Sequence, residues 1–170
     1  MRSLTVVRHC AAEPTSPGGT DFDRELTEEG VEQARQLRER FTEPFGLFNT
    51  APTTALVSAA RRTRDTFEHA FGGLRFIREV HTSNLIYNGR QDVSGDELLF
   101  DLAAIDPVSD SLIVVAHFPT VWELVLTLAS DVPDEFREGF PLGAATMFEI
   151  REDEPVGLAQ YRVVTTFVPY

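Results

Sequence analysis

Short apolar runs alternate with amphipathic helical segments along this chain, and this alternation limits the fold more than any other feature of the sequence. Strands that alternate with helices form a mostly parallel sheet with helices on both faces. We therefore predict a three-layer α/β/α sandwich. The predicted elements, in chain order, are strand Leu4–Val7, a helix that begins at Thr27, strand Thr54–Val57, helix Arg61–Phe71, strand Leu74–Val80, helix Asp96–Ile105, strand Leu112–Ala116 and helix Thr120–Ala129.

The end of the chain departs from this alternation. Ala144–Ile150 and Tyr161–Val168 predict two consecutive strands joined by the acidic turn Arg151–Gly157, which indicates a hairpin and makes the sheet mixed. A length of 170 residues suits one domain, and we see no repeat or linker that would divide residues 1–170.

Charge and composition narrow the class of partner and the chemistry. The formal net charge is −12 at pH 7, which disfavours nucleic acid and anionic membrane surfaces as partners. All 15 basic residues are arginine, so a Schiff base, pyridoxal phosphate attachment and a Walker-type phosphate lysine are excluded. No apolar stretch reaches the length of a membrane span and no signal-peptide pattern precedes the first strand, so we expect a cytoplasmic protein.

The few metal-ligating residues do not form a metal motif. Cys10 is the only cysteine, which excludes an internal disulfide and a cysteine-based zinc cluster. His69 and His81 have no metal-ligand spacing with each other or with carboxylates. We therefore expect no metal site.

Three of the predicted strands end next to side chains that can handle phosphate. Arg8 and His9 follow the first strand, Arg62 lies in the first helical turn after the second, and His117 follows the Leu112–Ala116 strand. In open α/β sheets the ligand crevice lies outside the carboxyl ends of the strands. The sequence therefore predicts that these four side chains meet at one site, where a helix N-terminus also favours an anion.

Four sequence blocks resemble motifs of the histidine phosphatase superfamily, the phosphoglycerate-mutase-like enzymes, and follow one another in the order found in that family. Within that superfamily, the chain is most similar to the short SixA-type phosphohistidine phosphatases. The blocks lie between residue 4 and about residue 125. They are VVRHCAA at Val6–Ala12, LTEEGVEQA at Leu26–Ala34, VSAARRTRDT at Val57–Thr66 and VVAHFPTV at Val114–Val121.

The chain departs from the family pattern at several positions around the predicted site. Cys10 and Ala116 replace glycines, Phe118 replaces a common asparagine, and Ala59 and Asp65 replace a proline and a glutamine. If His9 points into the site, strand alternation predicts that Cys10 points to the packed side.

The resemblance implies a mechanism and a role for each matching residue. His9 is expected to attack phosphorus and form a phosphohistidine that water hydrolyses, while Arg8, Arg62 and His117 bind the phosphoryl oxygens. No metal or organic cofactor is required. Burial beside cations should keep His9 neutral, and a carbonyl partner on one ring nitrogen would leave the other free to attack.

The acid that protonates the leaving group has no clear motif in the sequence. Glu79 and His81 are the nearest candidates, since many superfamily members supply a glutamate after the third strand, although Glu79 also fits a surface charge at a strand end. A weak acid favours an N-phosphate, because a protonated imidazole leaves readily.

The combined expectation is a metal-independent phosphatase. Its substrate would be a phosphohistidine protein or a small phosphorylated metabolite, and no nucleic acid or membrane partner is expected. Two alternatives stay open: a broad small-molecule phosphomonoesterase, and a non-catalytic phosphate or phosphoprotein binder. The replacements at Cys10, Ala116 and Phe118 motivate the second alternative.

Overall fold

The structure, a computed structural model, has six strands and four α-helices within the residues that it describes. Those residues are 2–48, 51–84, 86–87, 94–105, 111–152, 154, 156–157 and 159–170. The elements are β1 (Arg2–Arg8), α1 (Glu28–Thr42), β2 (Thr53–Ser58), α2 (Arg61–Phe71), β3 (Ile77–Ser83), α3 (Gly95–Ile105), β4 (Ser111–Ala116), α4 (Thr120–Leu128), β5 (Ala145–Ile150) and β6 (Val163–Phe167).

The strands form one mixed sheet in the order β3-β2-β4-β1-β5-β6. β3, β2, β4 and β1 pair in parallel, β5 pairs antiparallel with β1, and β6 pairs antiparallel with β5. The central strands β1, β2 and β4 are buried on both faces, which fits their apolar, β-branched sequences. The predicted mixed sheet with a final hairpin is confirmed, although part of the Arg151–Gly157 turn lies outside the described residues.

Helices cover both faces of this sheet. Val6 and Val114 pack into a core with α3 and α4, whereas their neighbours Val7 and Val115 pack into a second core with α1 and α2. Successive residues of a strand point to opposite faces, so each central strand contributes to both cores. The three-layer α/β/α sandwich predicted from the sequence is confirmed.

Several element boundaries agree with the sequence prediction, and others differ for identifiable reasons. Helix α2 has the predicted bounds, and the Thr27 side chain caps α1 by accepting a hydrogen bond from the Gly30 backbone nitrogen at 3.0 Å. Strand β3 begins at Ile77 rather than Leu74, because residues 74–76 form a turn after Gly73, whose φ is +73°.

No helix within the described residues is both long enough and apolar enough to cross a bilayer.

Helix α1 packs closely against the chain segment that follows β1. The Ala11 backbone nitrogen donates to Gln33 Oε1 at 2.8 Å, and the Ala11 carbonyl accepts from the Thr27 nitrogen at 3.0 Å. A Cβ atom at Gly30 would lie 2.0 Å from the Ala11 carbonyl oxygen. This contact explains why the helix carries a glycine in its first turn, where helix propensity disfavours one.

We expect Gly30→Ala to lower the free energy of unfolding. Overpacking against backbone costs about 1–3 kcal/mol, more than the gain of about 1 kcal/mol from replacing glycine in a helix. Urea denaturation measures the difference. Gly18→Ala is the control, because a Cβ there meets no atom within 4 Å and should leave stability nearly unchanged. A Gly30→Ala protein as stable as the parent would contradict the packing argument.

Candidate active site

The carboxyl ends of β1, β2 and β4 lead into one cleft of about 600 Å³. The sequence-predicted side chains Arg8, His9, Arg62 and His117 all line it. The full set of lining residues is Arg8, His9, Ala12, Asp21, Arg24, Arg62, Tyr87, His117, Phe118 and Leu142.

His9 lies buried in the cleft as a neutral imidazole with one nitrogen free. It is 8% exposed, and its Nδ1 lies 2.8 Å from the Cys10 carbonyl oxygen. A carbonyl only accepts hydrogen bonds, so Nδ1 carries the proton. Burial, together with the charges of Arg62 and Arg8, lowers the pKa of His9 to about 3. Nε2 of the neutral ring therefore keeps its lone pair.

His117 faces His9 from the end of β4. Their ring centroids are 5.3 Å apart, and His117 Nε2 lies 2.6 Å from the Ser58 hydroxyl oxygen. Burial is the main cause that lowers the pKa of His117 to about 2, and His9 and Arg62 add to it. The hydroxyl occupies Nε2, so only Nδ1 is left to contact a ligand.

Two guanidinium groups complete the set. Arg62, 4% exposed, donates from Nη1 to the Asp21 carbonyl at 2.8 Å. Arg8 donates from Nη1 to the Phe140 carbonyl at 2.6 Å and lies over the Phe118 ring, 5.1 Å from its centroid. Burial lowers the pKa of both arginines.

Three buried nitrogen atoms of these side chains have no hydrogen-bond partner among the described residues. They are Arg8 Nε, Arg62 Nε and His117 Nδ1. Buried polar atoms without partners are costly and uncommon in folded proteins. Their grouping in one cleft, next to a nucleophilic nitrogen, suits an anion with several acceptor oxygens, such as a phosphoryl group.

Cys10 does not line the cleft. Its side chain is fully buried in the core beneath α1 and α2, and burial raises the pKa of its thiol to about 12. The predicted orientation, with Cys10 on the packed side, is confirmed. Its backbone nitrogen donates to Thr66 Oγ1 at 2.9 Å and so ties the loop after β1 to α2.

Glu79 and His81 are not part of the cleft, which corrects the expectation that one of them is a leaving-group acid. Both side chains are exposed on the edge strand β3, and they lie 3.3 Å from each other. They precede the carboxyl end of that strand, Ser83, by four and two residues. The strand end, not its middle, approaches the site.

The sequence reasoning missed a group of residues at the mouth of the cleft. Asp21 Oδ2 accepts from the Tyr87 hydroxyl at 2.6 Å and lies 3.2 Å from Arg62 Nη2, while Asp21 Oδ1 accepts from Arg24 Nε at 2.9 Å. Burial alone would raise the pKa of Asp21, but the Tyr87 hydrogen bond and the charges of Arg62 and Arg24 outweigh it and lower that pKa. The one signal available was the long polar loop between the first strand and the first helix.

Within the described ranges, no group of three or more His, Cys, Asp or Glu side chains is arranged to hold a metal ion.

A family model matches the first half of the chain. The model of the histidine phosphatase superfamily (branch 1) covers residues 4–86, from within β1 to just beyond the end of β3. A comparison with curated protein sequences finds no match.

Solved structures match over nearly the whole chain. A candidate phosphohistidine phosphatase SixA from Agrobacterium tumefaciens has a TM-score of 0.76 and 22% identity, with 99% of each chain covered. A candidate SixA from Nakamurella multipartitia has a TM-score of 0.73 and 24% identity, covering 99% of this chain and 96% of the other. A phosphoserine phosphatase mutant from Entamoeba histolytica has a TM-score of 0.61 and 16% identity, covering 98% and 96%. The fold is that of the phosphoglycerate-mutase-like proteins.

We expect the ring signals of His9 and His117 not to titrate in the folded protein between about pH 8 and about pH 5. In urea both should titrate near the ordinary pKa of about 6.5. The unfolded state then binds more protons, so the free energy of unfolding falls as the pH drops from about 6.5 toward about 3. The pH dependence of the imidazole NMR shifts, assigned with His9→Ala and His117→Ala, measures this titration. A titration midpoint near about pH 6.5 for either ring in the folded protein would contradict the prediction.

Proposed function

Because the chain belongs to the histidine phosphatase superfamily, we propose that its phosphatase activity proceeds through a covalent phosphohistidine on His9. The observation that carries this proposal is the protonation state of His9. Its Nδ1–H is held by the Cys10 carbonyl and its pKa is lowered to about 3, so Nε2 offers a lone pair at neutral pH without a separate base.

In the proposed first step, His9 Nε2 attacks phosphorus and the bond from phosphorus to the leaving atom breaks, with its electron pair going to that atom. Water then attacks the phosphohistidine, the P–N bond breaks, and inorganic phosphate leaves with His9 neutral again. Phosphoryl transfer depends mainly on positioning and charge stabilisation. Arg8, Arg62 and His117 would supply both through the three nitrogen atoms that have no partner in the described part of the chain.

For the substrate, we propose a phosphorylated histidine side chain of a protein. Two structures with similar folds are described as candidate SixA phosphohistidine phosphatases. The second candidate is a small phosphorylated metabolite. The phosphoserine phosphatase among the similar structures and the open, 600 Å³ cleft favour this alternative.

A non-catalytic binder is less well supported than either substrate class. Cys10 is buried away from the cleft. Ala116 contributes its backbone carbonyl, which accepts a hydrogen bond from the His9 nitrogen at 3.0 Å. Phe118 stacks on Arg8 without occupying any of the unpartnered nitrogen atoms. None of the three replacements removes a group that the proposed reaction needs.

We expect rapid quenching with a radiolabelled aryl phosphate to trap an acid-labile, base-stable protein adduct. His9→Ala should lose the adduct and turnover, because the substitution removes the proposed nucleophile. His69→Ala is the matched control, since His69 is exposed on α2 and does not line the cleft. Near-normal turnover in His9→Ala would exclude the mechanism, and tight phosphate binding without turnover in the parent would indicate a binder.

We expect dialysis against EDTA to leave turnover unchanged. The charge on the phosphoryl oxygens is met in this proposal by guanidinium and imidazole groups, which a chelator does not remove. The measurement is the steady-state rate before and after chelation. Loss of activity that added zinc or magnesium restores would point to metal-assisted hydrolysis instead.

A further inference from the structure

Asp21 places a carboxylate at the mouth of a cleft whose other charged groups are cationic. The residue lies on the loop between β1 and α1, and its side chain is half-exposed although three groups hold it. Arg62 Nη2 and the Tyr87 hydroxyl contact Oδ2, and Arg24 Nε contacts Oδ1. A carboxylate with partners on three sides is fixed in position, so it presents a defined surface to whatever enters the cleft.

This carboxylate lies on the side of the cleft where a leaving group must sit. Attack in line with the breaking bond places the leaving group opposite His9 Nε2. His9 is buried, and Arg8, Arg62 and His117 line the cleft beside it, where they would meet the phosphoryl oxygens. The leaving group would therefore extend toward the mouth, where Asp21 and Phe118 are exposed and Tyr87 is partly exposed.

Asp21 also keeps acceptor capacity. A carboxylate offers about four lone-pair positions. The two contacts on Oδ2 and the single contact on Oδ1 occupy three of them, so Oδ1 retains one position for a further donor. The Phe118 and Leu142 side chains at the same mouth provide apolar surface for a flat ring.

We propose that Asp21 determines leaving-group specificity by accepting a hydrogen bond from a leaving group that carries an N–H, namely the imidazole ring of a phosphohistidine, and by disfavouring anionic leaving groups. This inference rests on the proposed phosphatase function and deepens it. It assigns the choice between the two substrate classes to one side chain.

The proposed contact accounts for a reaction without a separate acid. In a phosphoimidazolium ring, one nitrogen carries phosphorus and the other carries a proton. When His9 attacks, the P–N bond breaks and its electron pair stays on the departing nitrogen. The product is neutral imidazole, which keeps the proton on its other nitrogen. Asp21 stabilises the cationic reactant ring through that N–H, so no acid needs to deliver a proton.

The test compares two substrates in Asp21→Asn, which removes the charge and keeps the shape. The substrates are N-phosphoimidazole and 3-phosphoglycerate, whose leaving group is anionic. We expect the ratio of kcat/KM for the first to that for the second to fall about tenfold or more, the scale of one charge-assisted hydrogen bond. Asp23→Asn is the control, because Asp23 lies in the same turn, bonds to the Thr20 hydroxyl and does not line the cleft.

Each outcome separates this inference from the proposed function. A parent protein that hydrolyses neither substrate and forms no adduct on His9 overturns the function itself. If the parent reacts through His9 but the ratio of kcat/KM values is the same in Asp21→Asn, only the role of Asp21 is overturned. An equal loss of kcat/KM toward both substrates leaves the ratio unchanged and has the same meaning. Asp21→Ser gives a second measurement of the ratio if the asparagine protein does not fold.

Discussion

The backbone of residues 9–11 is held from three directions, and the position of the reactive nitrogen depends on that hold. The Cys10 nitrogen donates a hydrogen bond to Thr66 on α2, and the Ala11 nitrogen donates one to Gln33 on α1. The His9 carbonyl accepts a third from the Gly143 nitrogen. Each such bond contributes only about 1 kcal/mol. Together they orient the Cys10 carbonyl, which selects the His9 tautomer.

Much of this arrangement follows from sequence patterns because the carboxyl ends of parallel strands meet at one edge of a sheet. The strand ends before His9 and His117 and the helix start before Arg62 could be read from apolar runs and from the polar residues that follow them. The start of β3 at Ile77 could not be predicted in this way. Leu74 and Phe76 are apolar in a turn, and the left-handed backbone of Gly73 that redirects the chain has no unique sequence signature.

The residues at the mouth of the cleft could not be predicted from hydrophobic periodicity. Asp21 and Tyr87 are 66 positions apart on segments outside the predicted helices and strands, and only the folded chain brings them into contact. The choice of Glu79 and His81 as acids failed for a related reason. It assumed that the strand ended near residue 80, whereas β3 continues to Ser83 and exposes its middle at the edge of the sheet.

The absence of lysine has a consequence for how this cleft keeps its charge. Burial lowers the pKa of Arg8 and Arg62, yet a guanidinium starts at least two units above an ammonium group, whose ordinary value is about 10.4. The same burial would bring an ammonium far closer to losing its proton near neutrality. Guanidinium groups therefore make the local positive potential insensitive to ordinary fluctuations in acidity, while both imidazoles stay uncharged over the same range.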